Sequence, residues 1–285
     1  MLHREARVLA TCGALLVAAG LAANAQSPAA APLAFEVASV KLNTSGKRGM
    51  GSRILPGGRY SADSVPIYWL ISEAYRFPVQ SSRLSGVPDS IRSDRYDIEA
   101  KADKTAIAAS STASAREAKI MAMLQTLLAD RFQLKIHRET KETPVYALVV
   151  AKTGLKLQPA KVQDKDCVDM RPENGVLCHE FNGGQGRGLH ATAVDMSDLV
   201  LFLENWTDRP LVDKTDLKGL FAIETEGWVP FVPRQIAPES NDEGLYDPSR
   251  PTLFMVLARL GLKLESQKAP VDHWIVDHVE RPSGN

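Results

Sequence analysis

The chain has 285 residues, 34 Lys and Arg against 34 Asp and Glu, 44% hydrophobic residues, a pI near 7.0 and a mean hydropathy of -0.16. This balance excludes the basic stripe of a nucleic-acid binder and the charge excess of a disordered chain. The length allows one large domain or two of about 130 residues, each able to bury a core.

Arg4 and Arg7 precede an uncharged apolar run over residues 8–23, and Ala23 and Ala25 stand at the two small-residue positions a signal peptidase reads. The pattern predicts a secretory signal peptide over residues 1–25. A retained anchor is the alternative, but 16 residues rich in Ala and Gly fall short of the roughly 20 strongly apolar residues that span a bilayer. Cleavage removes two Arg and one Glu, leaving 32 basic against 33 acidic residues, a net charge of -1. The mature chain is expected in the periplasm or outside the cell, with no stable membrane span and no nucleic-acid partner.

After an Ala/Pro tail, residues 35–41 alternate as a strand does. A short strand follows at 58–62, then a helix over about 66–77 whose apolar stripe is Ile67, Leu70, Ile71, Ala74 and Phe77. Residues 95–100 read as a strand, 101–117 as a solvated Ala/Ser/Thr-rich loop running into a helix, and Leu124, Leu127 and Leu128 as that helix's buried face. A strand at 134–136 leads into a closing strand at 146–152. The order then recurs: strand 188–192, helix 197–206 with Met196, Leu199, Val200, Leu203 and Trp206, strand 220–225, a helix with Leu253, Val256 and Leu257, then strands at 262–264 and 273–280. The helix stripes repeat 129 residues apart and the strands 95–100 and 220–225 repeat 125 apart. The expected fold is α+β in two tandem similar halves, each a small, mainly antiparallel sheet covered by two helices. The boundaries are a tail and first strand at 26–57, a first half at 58–158, a connecting loop at 159–187 and a second half at 188–285, with a Pro-rich insertion at 228–251.

Cys167 and Cys178 flank an Asn174-Gly175 turn signal and are expected to form a disulfide in an oxidising compartment, with two free thiols the alternative. No serine elbow, P-loop or His-Glu-x-x-His helix appears in the sequence. The glycines at 183, 184, 186 and 188 lack dinucleotide-binding spacing and read as a flexible connector. His273 and His278, five apart on a strand, face opposite ways and cannot share an ion. Asp277 with His278 is a candidate hydrogen-bonded pair. Asp213 and Asp216 in a turn lack the ligands of a calcium site. No metal and no cofactor is expected. Trp228, ahead of Phe231 in the Pro-rich segment, is the candidate exposed apolar contact.

Several strings together resemble a family of uncharacterised exported proteins expanded in soil acidobacteria: residues 35–41, 93–101, 123–132, His137-Arg138-Glu139-Thr140, Pro144-Val145-Tyr146 and 275–280. Residues 209–215 match too, with Asp216 where the family pattern leads one to expect Gly. The resemblance implies no catalytic residue. The second half also resembles the small N-terminal modules of secretins and TonB-dependent receptors through 199–206, Gly219-Leu220-Phe221 and Leu260-Gly261-Leu262, a likeness of fold alone.

The expected function is an extracytoplasmic, non-enzymatic module that binds a protein or peptide, with Trp228, Phe231, Asp213, Asp277 and His278 as candidate contacts. An enzyme using Asp277-His278 or Asp213 at a site between the halves, and a periplasmic ligand sensor, are the alternatives.

Overall fold

The computed structural model describes residues 32–45, 50–79, 81–107, 111–168, 176–229 and 249–282. The signal-peptide reading, Phe231 and most of the Pro-rich insertion lie outside the described residues.

The chain opens with β1 (Phe35–Leu42), β2 (Gly51–Leu55) and β3 (Arg59–Pro66), then α1 (Ile67–Ala74), β4 (Leu84–Ser85), α2 (Asp89–Arg92), β5 (Arg95–Ala102) and α3 (Ala113–Phe132). It continues with β6 (Lys135–Val150), β7 (Gln158–Pro159), a 3-10 turn at Asp164–Asp166, β8 (Cys167–Val168), β9 (Val176–Leu177), β10 (Asn182–Gly184), β11 (Gly188–Val194) and α4 (Met196–Glu204). The last elements are β12 (Leu211–Asp213), β13 (Phe221–Glu224), α5 (Leu253–Arg259) and β14 (Leu262–His278).

Helix boundaries follow from caps. Thr112 and Thr252 accept from the amides of Ala115 and Met255, and Asp195 and Asp198 form a reciprocal capping box on α4. Gln133 in the left-handed region ends α3. The predicted stripes are the buried faces: Ile67, Leu70, Ile71 and Ala74 on α1, and Met196, Leu199 and Leu203 on α4.

The sheets run β1-β5-β3-β2, β10-β11-β13-β7 and β12-β6-β14-β4, with β8 and β9 a short parallel pair. The first two are antiparallel throughout and share one order, β1, β5, β3, β2 being answered by β7, β13, β11, β10. Register breaks between Ala62 and Val65 in one and between Ala191 and Val194 in the other, 129 residues later. The fold is α+β.

Two sequence expectations need correction. The strand pairs expected to close each half are instead single strands of 16 and 17 residues, β6 and β14, because these pair with each other along their whole length. Adding 128 to the β6 member of one pair gives the β14 member of another: Ile136 faces Val276, Leu148 faces Leu264, and 136 and 148 map to 264 and 276. The glycine run is a tight hairpin, not a flexible connector: Gly184 pairs with Gly188, and a Cβ on Gly184, at φ +127°, would lie 2.7 Å from Cζ2 of Trp206.

Two apolar cores result. One gathers β3, β5, α1 and α3 around Tyr60, Leu70, Ile98, Leu124 and Phe132, closed by Val276 and Val279. The other gathers Leu189, Leu199, Ile223, Trp228 and Leu257, closed by Tyr146, Leu148, Leu262 and Leu264. Each long strand therefore walls both cores.

A buried ion pair ties them. Glu204 at the end of α4 is 4% exposed; its carboxylate accepts from Ser81 Oγ at 2.7 Å, from the Leu211 amide at 2.9 Å and from Arg83, which also donates to the Leu211 carbonyl at 3.3 Å. Truncating one partner strands the other charge in a poorly solvated site. Glu204→Ala is expected to lower unfolding free energy by about 3–5 kcal/mol in urea titrations, and Glu204→Leu combined with Arg83→Met by clearly less.

Candidate functional site

Polar groups converge beside the disulfide. Cys167 and Cys178 are bonded, with Cα atoms 5.6 Å apart. Their side chains pack on Ala193 of β11, so the connecting loop lies against the second sheet. The chain leaves Cys178 into His179, whose φ of +60° is rare for a residue with a side chain. That conformation turns the imidazole inward, while the His179 amide donates to the Ala193 carbonyl at 2.8 Å.

Both ring nitrogens of His179 meet carboxylates: Nδ1 lies 2.6 Å from Asp198 and Nε2 3.0 Å from Asp164. Asp198 belongs to the α4 capping box; Asp164 belongs to the 3-10 turn and accepts from Ser114 Oγ, at the start of α3, at 2.7 Å. The side chains of His179 and Asp198 are 10% and 8% exposed. The row from Ser114 through Asp164 and His179 to Asp198 joins the N-termini of the two helices that cover different cores, where carboxylates also favour the helix dipole.

The electrostatics follow from this geometry. The hydrogen bond to Asp198 pushes the His179 pKa up to about 9 against the opposing effect of burial, with the Asp198 charge and the Asp164 bond adding to it. Burial pushes Asp164 up, but hydrogen bonds from Ser114, His179 and Thr112 outweigh it and bring it down to about 2. An imidazole that donates from both nitrogens is a cation with no lone pair left for a proton or a metal. His179, Asp195 and Asp198 place ligand atoms within 4.8 Å of one another, and Asp164, Cys167 and His179 do the same. In the first set the imidazole nitrogens are engaged by Asp198 and Asp164, and the Asp195 carboxylate accepts from the Asp198 amide and the Ser197 hydroxyl; in the second Cys167 is a disulfide sulfur, without a thiolate to offer. The arrangement is an electrostatic brace.

Among the described residues, those singled out from sequence do not come together. Trp228 is fully buried in the second core, not exposed; its amide donates to the Gln185 carbonyl of the glycine hairpin, which draws the ring inward. Asp277 and His278 form no pair: Asp277 meets His137 Nδ1 at 2.8 Å and His278 meets Glu280 at 2.8 Å, each taken by a different partner where the β6–β14 register breaks between Val276 and His278. Asp213 closes a local turn, accepting from the Thr215 amide at 2.8 Å and its hydroxyl at 2.7 Å. Asp216 adopts φ +57°, in the left-handed region that glycine favours. His179 and Glu204 were missed. Asp195 and Asp198, three apart ahead of an apolar stripe, were a legible cap signal; nothing in sequence joins Glu204 to Arg83, 121 residues away.

The profile of the family described as "Protein of unknown function (DUF3738)" matches residues 68–279, and the chain belongs to that family. Neither the curated proteins nor the solved structures contain a match.

The pH dependence has a defined sign. A His pKa raised from 6.5 to about 9 gives stability that is full below 6.5 and lost as pH rises through about 9. The contribution is of order 2–3 kcal/mol. The lowered Asp164 gives stability present above 3.8 and lost as pH falls through about 2. Melting temperature is expected to decline between pH 6.5 and 9, and His179→Gln to remove most of that slope while lowering stability at pH 6. Reduction of Cys167–Cys178, which closes a loop of sequence separation 11, is expected to remove roughly 3 kcal/mol, read by urea titration with and without dithiothreitol.

Proposed function

We propose that this protein is an exported, non-enzymatic binding module that captures an extended segment of an envelope protein or peptide on an open strand edge. The carrying observation is the middle sheet. β12 covers β6 only at Tyr146–Leu148 and β4 covers β14 only at Trp274–Ile275, so among the described residues no strand pairs with the outer edges of residues 135–144 or 265–272. Most of these residues are exposed. An edge whose amides and carbonyls face water is a template for strand addition.

Internal duplication is part of the same reading, supported by the shared sheet order, the matched register breaks and the β6–β14 register. Export is supported by the disulfide, which suits an oxidising compartment. Among the described residues no helix is long and apolar enough to cross a membrane.

The Trp274 amide donates outward to the Arg83 carbonyl, and alternation along the regular ladder gives the Lys268 amide the same outward direction. A photo-crosslinking residue at Lys268, in cells exporting the chain, is expected to yield one adduct with a different envelope protein, and Lys268→Pro to abolish capture at a probe placed instead at Ser266. A Ser266 adduct that survives Lys268→Pro, or no adduct from either site, contradicts the reading.

A further inference from the structure

We propose that the outer edge of β6 is a homodimerisation edge, on which β6 of a second copy of this chain adds antiparallel and centred on Thr140, each copy's Arg138 facing the other's Glu142. The proposal shares the open edge with the binding reading but concerns a different strand and a different occupant.

The direction of the backbone fixes which residues can pair outward. The Tyr146 amide donates to Pro210 and the Leu148 carbonyl accepts from Lys214, both on the β12 side, away from β14. The β6–β14 register is unbroken from Val150 back to Ile136, so Ile136, Arg138, Thr140 and Glu142 also turn their amides outward. In an antiparallel pair centred on Thr140 these same residues stand opposite one another and exchange both bonds. Pro144, with no amide, faces Ile136 and ends the ladder at both extremities, just where β12 occupies the edge.

The charges select this register. Exposed charges on an edge ordinarily discourage pairing. Here the sequence Arg138-Glu139-Thr140-Lys141-Glu142 is complementary to itself when reversed about Thr140: Arg138 opposes Glu142, Glu139 opposes Lys141, and the two threonines oppose each other. A shift of the centre to Glu139 or Lys141 sets like charges face to face. All four charged positions are open to a neighbour: Arg138, Glu139 and Lys141 are 59%, 43% and 54% exposed and, among the described residues, form surface ion pairs with Asp272, His137 and each other, and Glu142 is exposed. The β14 edge lacks the property. The corresponding centre there, Lys268, sets Lys268 against Lys268 and Ser266 against Pro270. The edge therefore takes a copy of itself with twofold symmetry, and closes there.

The test is sedimentation velocity on the full exported chain across the micromolar to hundred-micromolar range. The chain is expected to dimerise. Arg138→Glu alone, or Glu142→Arg alone, turns two attractive cross-strand pairs repulsive and is expected to raise the dimer Kd about tenfold or more. The double variant Arg138→Glu with Glu142→Arg restores the pairs and is expected to lie within about threefold of the original. Circular dichroism and melting temperature serve as the folding control, since all the changed side chains are exposed. A monomer at every concentration, or a dimer indifferent to the single reversals, overturns the proposal. A dimer that follows the charge pattern supports it whether or not an envelope adduct forms at Lys268, and an adduct at Lys268 on a monomeric chain overturns it while leaving the binding reading intact.

Discussion

Pairing of β6 with β14 along their full length places the two ends of each strand in different cores. Ile136, Trp274 and Val276 pack against the first core, while Tyr146, Leu148, Leu262 and Leu264 pack against the second. Neither core closes with its own sequence alone. Each fully buried side chain of this kind contributes about 1.5–3 kcal/mol that a core without its share of the ribbon would forgo, so the two cores are bound to fold as one.

Where the ribbon passes between the cores it is polar and exposed, and apolar packing cannot set the angle there. Two directional ties do so. On one side Arg83 and Ser81 reach Glu204 at the end of α4. On the other, the row through Asp164, His179 and Asp198 joins the beginnings of α3 and α4. Such pairs add little over a hydrophobic isostere, but their geometry is demanding, and misalignment leaves a buried charge unpaired. The disulfide keeps His179 in register for its two carboxylates by holding the preceding residue against Ala193.

The sequence carried what is local and periodic. The stripes on α1 and α4, the alternating strands at β5 and β13 and the cysteine pair could all be read from spacing, because burial of one helix face or one sheet face writes itself at 3.6 or 2 residues. What escaped is non-local. Residues 134–136 and 146–152 looked like separate strands because Glu142 and Pro144 resemble a break; the partner that keeps them continuous lies over a hundred residues away. Trp228 looked exposed amid prolines, yet its amide is anchored by a hairpin whose glycines allow close approach. Asp277 and His278 looked like a pair through adjacency, but His137 across the ribbon takes Asp277 and Glu280 takes His278. His179 could not be singled out, because only the fold brings Asp164 and Asp198 to its two nitrogens.

The account stands on the ribbon making one cooperative unit of two cores. Native-state hydrogen exchange at the amides of Leu124 in α3 and Leu199 in α4 measures this directly. The two amides are expected to share one opening free energy, and Leu70→Ala in the first core to lower both equally. If Leu199 kept its protection while Leu124 lost it, the cores would be independent, and the shared ribbon would not be what holds the molecule together.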